Sequence, residues 1–441
     1  MLILALLSGC TKTPTDSGPA TYDRVWPEWT LEHWVWEDES TQDSALALVD
    51  GYLDRDIPVS AIIIDSPWET GYNTLEWDTE RFEDPQGMID ELHGKGVHVF
   101  MWIVPAINTD VPVYEELAEK GWFMQANAEA GPKVVDWWKG PGSLIDFYNP
   151  EALDWWHGQL DKTLAYGIDG WKCDGVDYYQ VFAPYSPGAG KDIPRLDYSH
   201  SYYQDMHDYT RAQLGEDRVN TARPIDNYGF GLGGDEVAFA PRETLWAGWV
   251  GDQDADFGGL KAALENMYES SEYGYVSFGS DIGGYREDDN YPQGRSKELL
   301  IRWAQVGAFN PVMENGGGGL HAPWEFDEDT VDIYRTFVQL HMALVPYLDA
   351  HGAVAFHEGG SLMEFTDQTT YSYLLGPDVF VMPVLEEGVT SASPSLPEGD
   401  WVYLFDGSEH SGSATVDVPL EHFPVFVRAG SEAQEALEGV L

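Results

Sequence analysis

Short, continuously apolar runs alternate along this chain with segments whose apolar residues recur at every third or fourth position. In residues 44–53 this spacing puts Ala45, Leu46, Leu48, Val49 and Leu53 on one helical face. Residues 60–65 then read Ser-Ala-Ile-Ile-Ile-Asp, β-branched and closing on an acid. A helix over 88–95 stops at Gly96, and a second apolar strand over 97–104 is broken by Pro105. Strands that are apolar throughout are buried on both faces, so the pattern predicts a parallel sheet covered by helices.

The alternation persists. Helices are expected over 150–166, 202–214, 260–270, 297–307 and 329–348. Strands are expected over 167–173, 217–222, 244–250 and 274–279. Acids close or follow several of these strands: Asp65, Asp174, Asp252 and Asp281. That arrangement predicts an α/β fold, a (β/α)8 TIM-type barrel, because such barrels assemble their sites at the C-terminal ends of the strands. After about residue 351 the texture changes to short strands separated by Gly, Pro and Asp turns, which predicts a small C-terminal β-sandwich. The expected division is 1–20 as a leader and tether, 21–350 as the barrel and 351–441 as the β-module.

The charge balance narrows the partners. Asp and Glu number 76 against 23 Lys and Arg, a formal net charge of −53, and phosphate binding needs clustered bases, so nucleic acid is not an expected partner. The 18 Trp and 24 Tyr are rich for a soluble protein; most are expected to fill the core and a handful to offer aromatic faces to a ligand. The start, Met-Leu-Ile-Leu-Ala-Leu-Leu-Ser-Gly-Cys10, is similar to a bacterial lipoprotein signal with Cys10 as the lipidated residue, although no Lys or Arg precedes the apolar run. The expectation is export, with a lipid anchor at a cell surface or periplasmic membrane face as the sole membrane contact. Cys173, the other cysteine, points away from Asp174 by strand alternation and is expected to pack rather than react. No metalloprotease motif, Cys/His cluster or phosphate loop is present, and the acidic run 287–290 lacks the periodicity of a calcium loop, so neither cofactor nor metal is expected.

Several segments in order carry a resemblance. They are Gly-Ile-Asp-Gly-Trp-Lys-Cys-Asp-Gly ending at Gly175, Val-Gly-Asp-Gln ending at Gln253, and Gly-Ser-Asp-Ile-Gly-Gly-Tyr ending at Tyr285. Arg-Trp-Ala-Gln-Val-Gly-Ala-Phe-Asn-Pro follows from Arg302, and Leu-Gly-Pro-Asp-Val-Phe-Val-Met-Pro-Val follows from Leu375. From about Pro58 to Gly430 the chain resembles glycoside hydrolase family 31, retaining α-glycosidases with a (β/α)8 barrel and C-terminal β-domains. The resemblance implies Asp174 as nucleophile and Asp252 as general acid/base, the two-carboxylate division of labour of a retaining enzyme. It also implies Asp65 at the closed end of the sugar pocket and Arg223 between substrate and the catalytic acids. Lys172 is expected to keep Asp174 ionised, and burial beside Asp174 to keep a proton on Asp252. Asp281 and Trp102 join the expected substrate contacts; Trp68 and Trp171 divide between pocket wall and core.

Two departures from the family pattern bear on the sugar. Where many members carry Arg and His after a Phe-x-Pro segment, this chain has Glu314 and Gly316, followed by glycines up to His321. Glu314, with His321 reaching back across that loop, is therefore expected to set glycone specificity. The residues ahead of Pro58 also leave no room for the family's N-terminal β-sandwich, so a short form with a more open pocket is expected. The implied activity is an exo-acting α-glycoside hydrolase with an oligosaccharide or glycoside as partner. The alternatives are an α-transglycosylase with the same acid pair, a non-catalytic sugar-binding lipoprotein, and an α-galactosidase of a related clan.

Overall fold

The apolar runs become the staves of a closed barrel. The computed structural model describes residues 22–226, 239–286 and 295–441; Cys10 and the acidic run 287–290 lie outside them. Eight parallel strands form the barrel in chain order: β1 (His33–Glu37), β2 (Ala61–Ile64), β3 (His98–Ile103), β4 (Gly170–Cys173), β5 (Thr221–Ala222), β6 (Ala247–Val250), β7 (Phe278–Ser280) and β8 (Met313–Asn315). Each strand pairs with its sequence neighbour, and β8 pairs with β1. A parallel bridge between Asp281 and Glu314, with the Ile282 amide donating to the Glu314 carbonyl at 3.1 Å, closes the ring between β7 and β8.

Around the strands pack α1 (Gln42–Leu53), α2 (Pro85–Gly94), α3 (Pro150–Leu164), α4 (Arg195–Leu214), α5 (Phe257–Tyr273), α6 (Lys297–Ala308) and α7 (Glu328–Glu358). The helix starts follow side-chain chemistry. Thr41, Asp84, Asn149, Asp256, Ser296 and Asp327 each accept an otherwise orphaned amide of the first turn, and Pro85 and Pro150 take the position where no donor is needed. The isoleucines of β2 are fully buried, each contributing about 1.5–3 kcal/mol through removal from water. Gly170 lets β4 approach its neighbour, because a Cβ there would lie 1.7 Å from the Val219 carbonyl oxygen.

Differences from the sequence expectation cluster where polarity interrupts the apolar signal. β1 and β8 read His-Trp-Val-Trp-Glu and Met-Glu-Asn, and the charged and polar residues hide strands that are nevertheless buried. Beyond β3 the chain inserts a three-stranded antiparallel unit (Ala106–Asn108, Val135–Trp137, Gly140–Leu144), and a 3-10 turn at Asp177–Phe182 follows β4. These two insertions stand over the end of the barrel where the strands terminate. Helix α7 runs through residue 350 and on to Glu358.

The C-terminal module is a six-stranded antiparallel sheet plus a two-stranded ribbon. Arg302 of α6 docks it. Its buried guanidinium donates to the carbonyls of Val389, Val418, Pro419 and His422, so one cation ties together four acceptors of the module at the junction.

Candidate active site

A cavity of about 790 Å³ opens at the C-terminal ends of the barrel strands. Strand alternation explains what faces it. On β4, Trp171 and Cys173 turn outward into packing and are fully buried, while Lys172 and, just past the strand, Asp174 turn inward and line the cavity. Burial pushes the Cys173 thiol up, as suits a packed and unreactive group.

Asp174 is held by three donors. Its Oδ1 accepts Arg223 Nε at 3.0 Å and the Gly175 amide at 2.8 Å, and its Oδ2 accepts Trp102 Nε1 at 3.1 Å. Burial pushes this carboxyl above the ordinary aspartate range; Arg223 opposes the push, Asp252 adds to it and Lys172 opposes it. The donors favour the carboxylate, which is the form a nucleophile needs.

Arg223 spans both acids. Its Nη2 donates to Asp252 Oδ2 at 2.6 Å, beside the Nε bond to Asp174. Nε–H and that Nη–H leave one edge of a planar guanidinium nearly in parallel, so the receiving carboxylates lie side by side. Retaining glycosidases hold their two carboxylates about 5–5.5 Å apart, and inverting ones about 6.5–9.5 Å apart to admit water. The third nitrogen, Nη1, donates to Asp226 at 2.6 Å, and the guanidinium stacks 4.3 Å from the Trp249 ring centre.

The loop that carries Asp252 is pinned on both sides. Asp226 accepts the Gly251 amide at 2.9 Å, and Asp281 accepts the Asp252 amide at 3.0 Å. Asp252 itself has φ 64°, a left-handed conformation that a non-glycine residue adopts only when its surroundings enforce it. Burial raises the Asp281 carboxyl well above its ordinary value against the pull of Lys172.

Two expectations are refined. Lys172 lowers the Asp174 carboxyl, as expected, but from a distance: its Nζ donates to Asp65 at 2.9 Å and sits 3.5 Å from the Trp36 ring centre. Arg223 is the cation in direct contact with Asp174. Asp252 is not sealed beside Asp174; its side chain is 28% exposed and ion-paired to Arg223.

The glycone expectations change as well. Among the described residues, the cavity wall includes neither Glu314 nor His321. Glu314 is buried on β8, where desolvation lifts its carboxyl to about 7 against the pull of Lys172. His321 is buried too, and desolvation lowers it to about 3; its backbone amide donates to Glu325. The short strand β8 directs Glu314 toward the barrel interior, and the glycine-rich loop does not return His321 to the cavity. Trp68 is packed behind the wall, its Nε1 donating to the Trp102 carbonyl at 2.8 Å, and Trp171 is core. Asp65, Trp102, Lys172, Asp174, Arg223, Asp252 and Asp281 do converge on the cavity.

The sequence reading did not identify the remaining wall. Trp36 and Asp38, at and beyond the end of β1, face Tyr285, whose hydroxyl donates to Asp38 at 3.2 Å while its ring stacks 5.8 Å from that of Trp36. Burial pushes the Asp38 carboxyl up to about 6, with Asp65 adding to the shift. Gly316 makes room for Trp36, because a Cβ there would lie 2.3 Å from the indole. The available signal was the spacing of Trp36 and Asp38, two apart and therefore on one strand face. No group of His, Cys, Asp and Glu among the described residues is arranged to hold a metal ion.

Comparisons with known proteins agree with this geometry. Residues 24–350 match the model of the glycosyl hydrolases family 31 TIM-barrel domain, and residues 360–431 match that of the glycosyl hydrolase family 31 C-terminal domain. An α-xylosidase, XylQ, of Lactiplantibacillus pentosus is 26% identical over 442 residues, covering 92% of this chain and 54% of the relative. A sulfoquinovosidase of Escherichia coli K12 is 28% identical over 375 residues, covering 81% of this chain and 53% of the relative. The chain thus spans about half the length of these curated relatives. Among solved structures, a family 31 α-xylosidase from a soil metagenome, complexed with xylose, superposes with TM-score 0.78 at 24% identity, covering 94% of this chain and 65% of that one.

Proposed function

The chain belongs to glycosyl hydrolase family 31, and from that membership and the Asp174–Arg223–Asp252 geometry we propose that it is a retaining, exo-acting α-glycoside hydrolase removing a terminal α-linked sugar. The observation that carries the proposal is the single guanidinium joining two carboxylates in one cavity. In the first step an Asp174 oxygen bonds to the anomeric carbon as the bond to the leaving oxygen breaks, and Asp252 gives that oxygen its proton. In the second step Asp252 takes a proton from water, whose oxygen displaces Asp174 from the anomeric carbon. Arg223 stabilises Asp174 as carboxylate and yields its bond to Asp252 when the leaving oxygen takes that place. Asp65, fixed by Lys172, and Asp38, fixed by Tyr285, offer acceptors to sugar hydroxyls at the closed end.

The glycone is a neutral sugar of the xylose or glucose type in this proposal. The walls that would meet substituents on the ring are Trp36, Tyr285 and two carboxylates, which suit hydroxyls better than an anionic group. The apolar run ending at Cys10 supports export with a lipid anchor.

A panel of aryl α-glycosides (xylo, gluco, galacto and N-acetylgalactosamino) tests the reading. Turnover of at least one, abolished by Asp174→Ala, is the expected result. Binding of sugars with no turnover of any would leave a binding protein.

A further inference from the structure

Glu314 takes no part in the mechanism above, yet it is buried where a carboxyl group is costly. It lies opposite Asp281 across the seam that closes the barrel, joined to it by a parallel bridge. Neighbouring strands run about 4.7–4.9 Å apart, and residues paired in parallel send their side chains to the same face. Both residues are 1% exposed. Asp281 Oδ2 accepts the Asp252 amide at 3.0 Å, whereas Asp281 Oδ1 and both Glu314 oxygens have no hydrogen-bond partner among the described residues. Buried polar atoms left in this way are strongly unfavourable, most of all when charged. Adjoining carboxyl groups with three empty acceptors therefore need a donor.

The nearby cations are already committed. Arg223 is divided among Asp174, Asp226 and Asp252, and Lys172 donates to Asp65. Around Glu314 stand Lys172 of β4, Asp65 after β2, Arg223 after β5 and the indole of Trp36 on β1. Around Asp281 stand Lys172, Glu314 and Asp252. One ammonium thus faces Asp65, Asp281 and Glu314 together, and charge is left uncompensated if all three are ionised. A proton on the seam cancels charge, and its O–H is also the donor that the empty oxygens lack. Burial lifts both carboxyls above their ordinary ranges, which is the direction a retained proton requires.

We propose that Glu314 and Asp281 hold one proton between them and that Glu314 is thereby a positioning residue for Asp252, a statement that rests on the glycosidase reading. The Glu314 hydroxyl donates to Asp281 Oδ1. Asp281 Oδ2 then stays on the Asp252 amide and holds the left-handed turn, φ 64°, that aims the Asp252 side chain. When the proton passes to solvent, two adjoining carboxylates repel each other and the turn loses its support. Glu314 touches no substrate; it acts through Asp281.

Two substitutions separate a donor from a space-filler. Glu314→Gln copies the protonated acid in shape and charge and keeps an N–H donor opposite Asp281, whereas Glu314→Leu has none. On the phenyl α-glycoside of the sugar found by the aryl panel, whose leaving oxygen takes a proton, kcat/KM at mildly acid pH should stay within about twofold of wild type in Glu314→Gln. It should fall about tenfold in Glu314→Leu, the size of one lost buried hydrogen bond. On the α-glycosyl fluoride, whose leaving group needs no proton, the Leu variant should lose about twofold at most. Infrared difference spectra without substrate read the proton itself: wild type should show one more protonated carboxyl than Glu314→Gln, lost as the pH rises past about 7. If Glu314→Leu does not fold, that comparison decides. Equal carboxyl bands in wild type and Glu314→Gln overturn the shared proton. A Gln variant as impaired as Leu, or equal losses on both substrates, overturns the positioning role. Turnover of no substrate removes the glycosidase reading and the positioning role with it, while the infrared band still reports the proton.

Discussion

One oxygen of Asp226 grips Arg223 Nη1 at 2.6 Å and accepts the Gly251 amide at 2.9 Å. A single buried acid thereby fixes the cation that spans Asp174 and Asp252, together with the backbone that carries Asp252. Asn266 holds its other oxygen at 3.1 Å. Asp226 touches no substrate in this arrangement; it acts through Arg223 and the Asp252 loop.

Asp226→Asn keeps the shape but removes the charge that Arg223 faces, and breaking one side of a buried ion pair costs about 3–5 kcal/mol. Part of that cost falls on the geometry of the site. On glycosides with sugar leaving groups kcat/KM should drop roughly 30- to 100-fold, with the pH profile displaced. On the α-glycosyl fluoride of the same sugar, whose leaving group needs no proton, the drop should be several times smaller. Equal losses on both substrates with an unchanged pH profile would show that Asp226 only supports the fold.

Under the proposed mechanism, Asp252→Ala removes the proton donor outright. General acid catalysis contributes about 10²–10⁴-fold, so glycosides with sugar leaving groups should lose that much while the fluoride keeps its first-step rate. A burst of fluoride release followed by a slow steady state would report a trapped glycosyl-enzyme, since the proposal also has Asp252 activate water. Loss of the burst along with the steady state would sink the acid/base assignment.

Much of the catalytic geometry was legible because the residues that carry it follow apolar strands. Asp65, Asp174 and Asp252 each end a run that reads as a buried parallel strand, and a barrel brings such ends together. What escaped the sequence has physical causes. Met-Glu-Asn of β8 is too short and polar to read as a strand, so Glu314 looked like a loop residue facing a ligand rather than a buried staple of the barrel. Trp36 and Asp38 were missed because His33 and Glu37 blur β1 in the same way. Lys172 shares a strand face with Asp174, yet the face curves with the barrel and brings its ammonium to Asp65 instead. Trp137, Trp138, Tyr178 and Tyr179 of the cavity wall escaped because they come from insertions whose spacing follows no regular period.

Glu314 should make the fold pH-dependent in a specific direction. Its carboxyl is lifted in the folded state from 4.5 to about 7 by burial. Between those values the folded protein holds a proton that the unfolded chain releases, so stability falls as pH rises from about 4.5 to about 7 and is level on either side. A shift of that size corresponds to about 3 kcal/mol. Glu314→Gln removes the titration: its melting temperature should equal that of the wild type near pH 4.5 and exceed it increasingly up to pH 7. A difference that is constant across that range would show that Glu314 does not titrate there.

Gly316→Ala tests whether the tryptophan wall, rather than Glu314, shapes the glycone end. The added methyl group would lie 2.3 Å from the Trp36 indole, so the ring must move. It has two obstacles: Tyr285 stacked on one side and the Lys172 ammonium 3.5 Å from its centre. Overpacking of this kind costs about 1–3 kcal/mol in stability. Displacement toward the cavity narrows the space for a sugar, so KM should rise by roughly the factor that 1–2 kcal/mol implies, about 5- to 30-fold, while kcat changes less because Asp174 and Asp252 stay in place. Trp36→Phe in the same chain frees the room that the methyl needs and should restore most of the lost stability. Wild-type KM and melting temperature in Gly316→Ala would mean that Trp36 has space to give, and that the glycone end is set elsewhere.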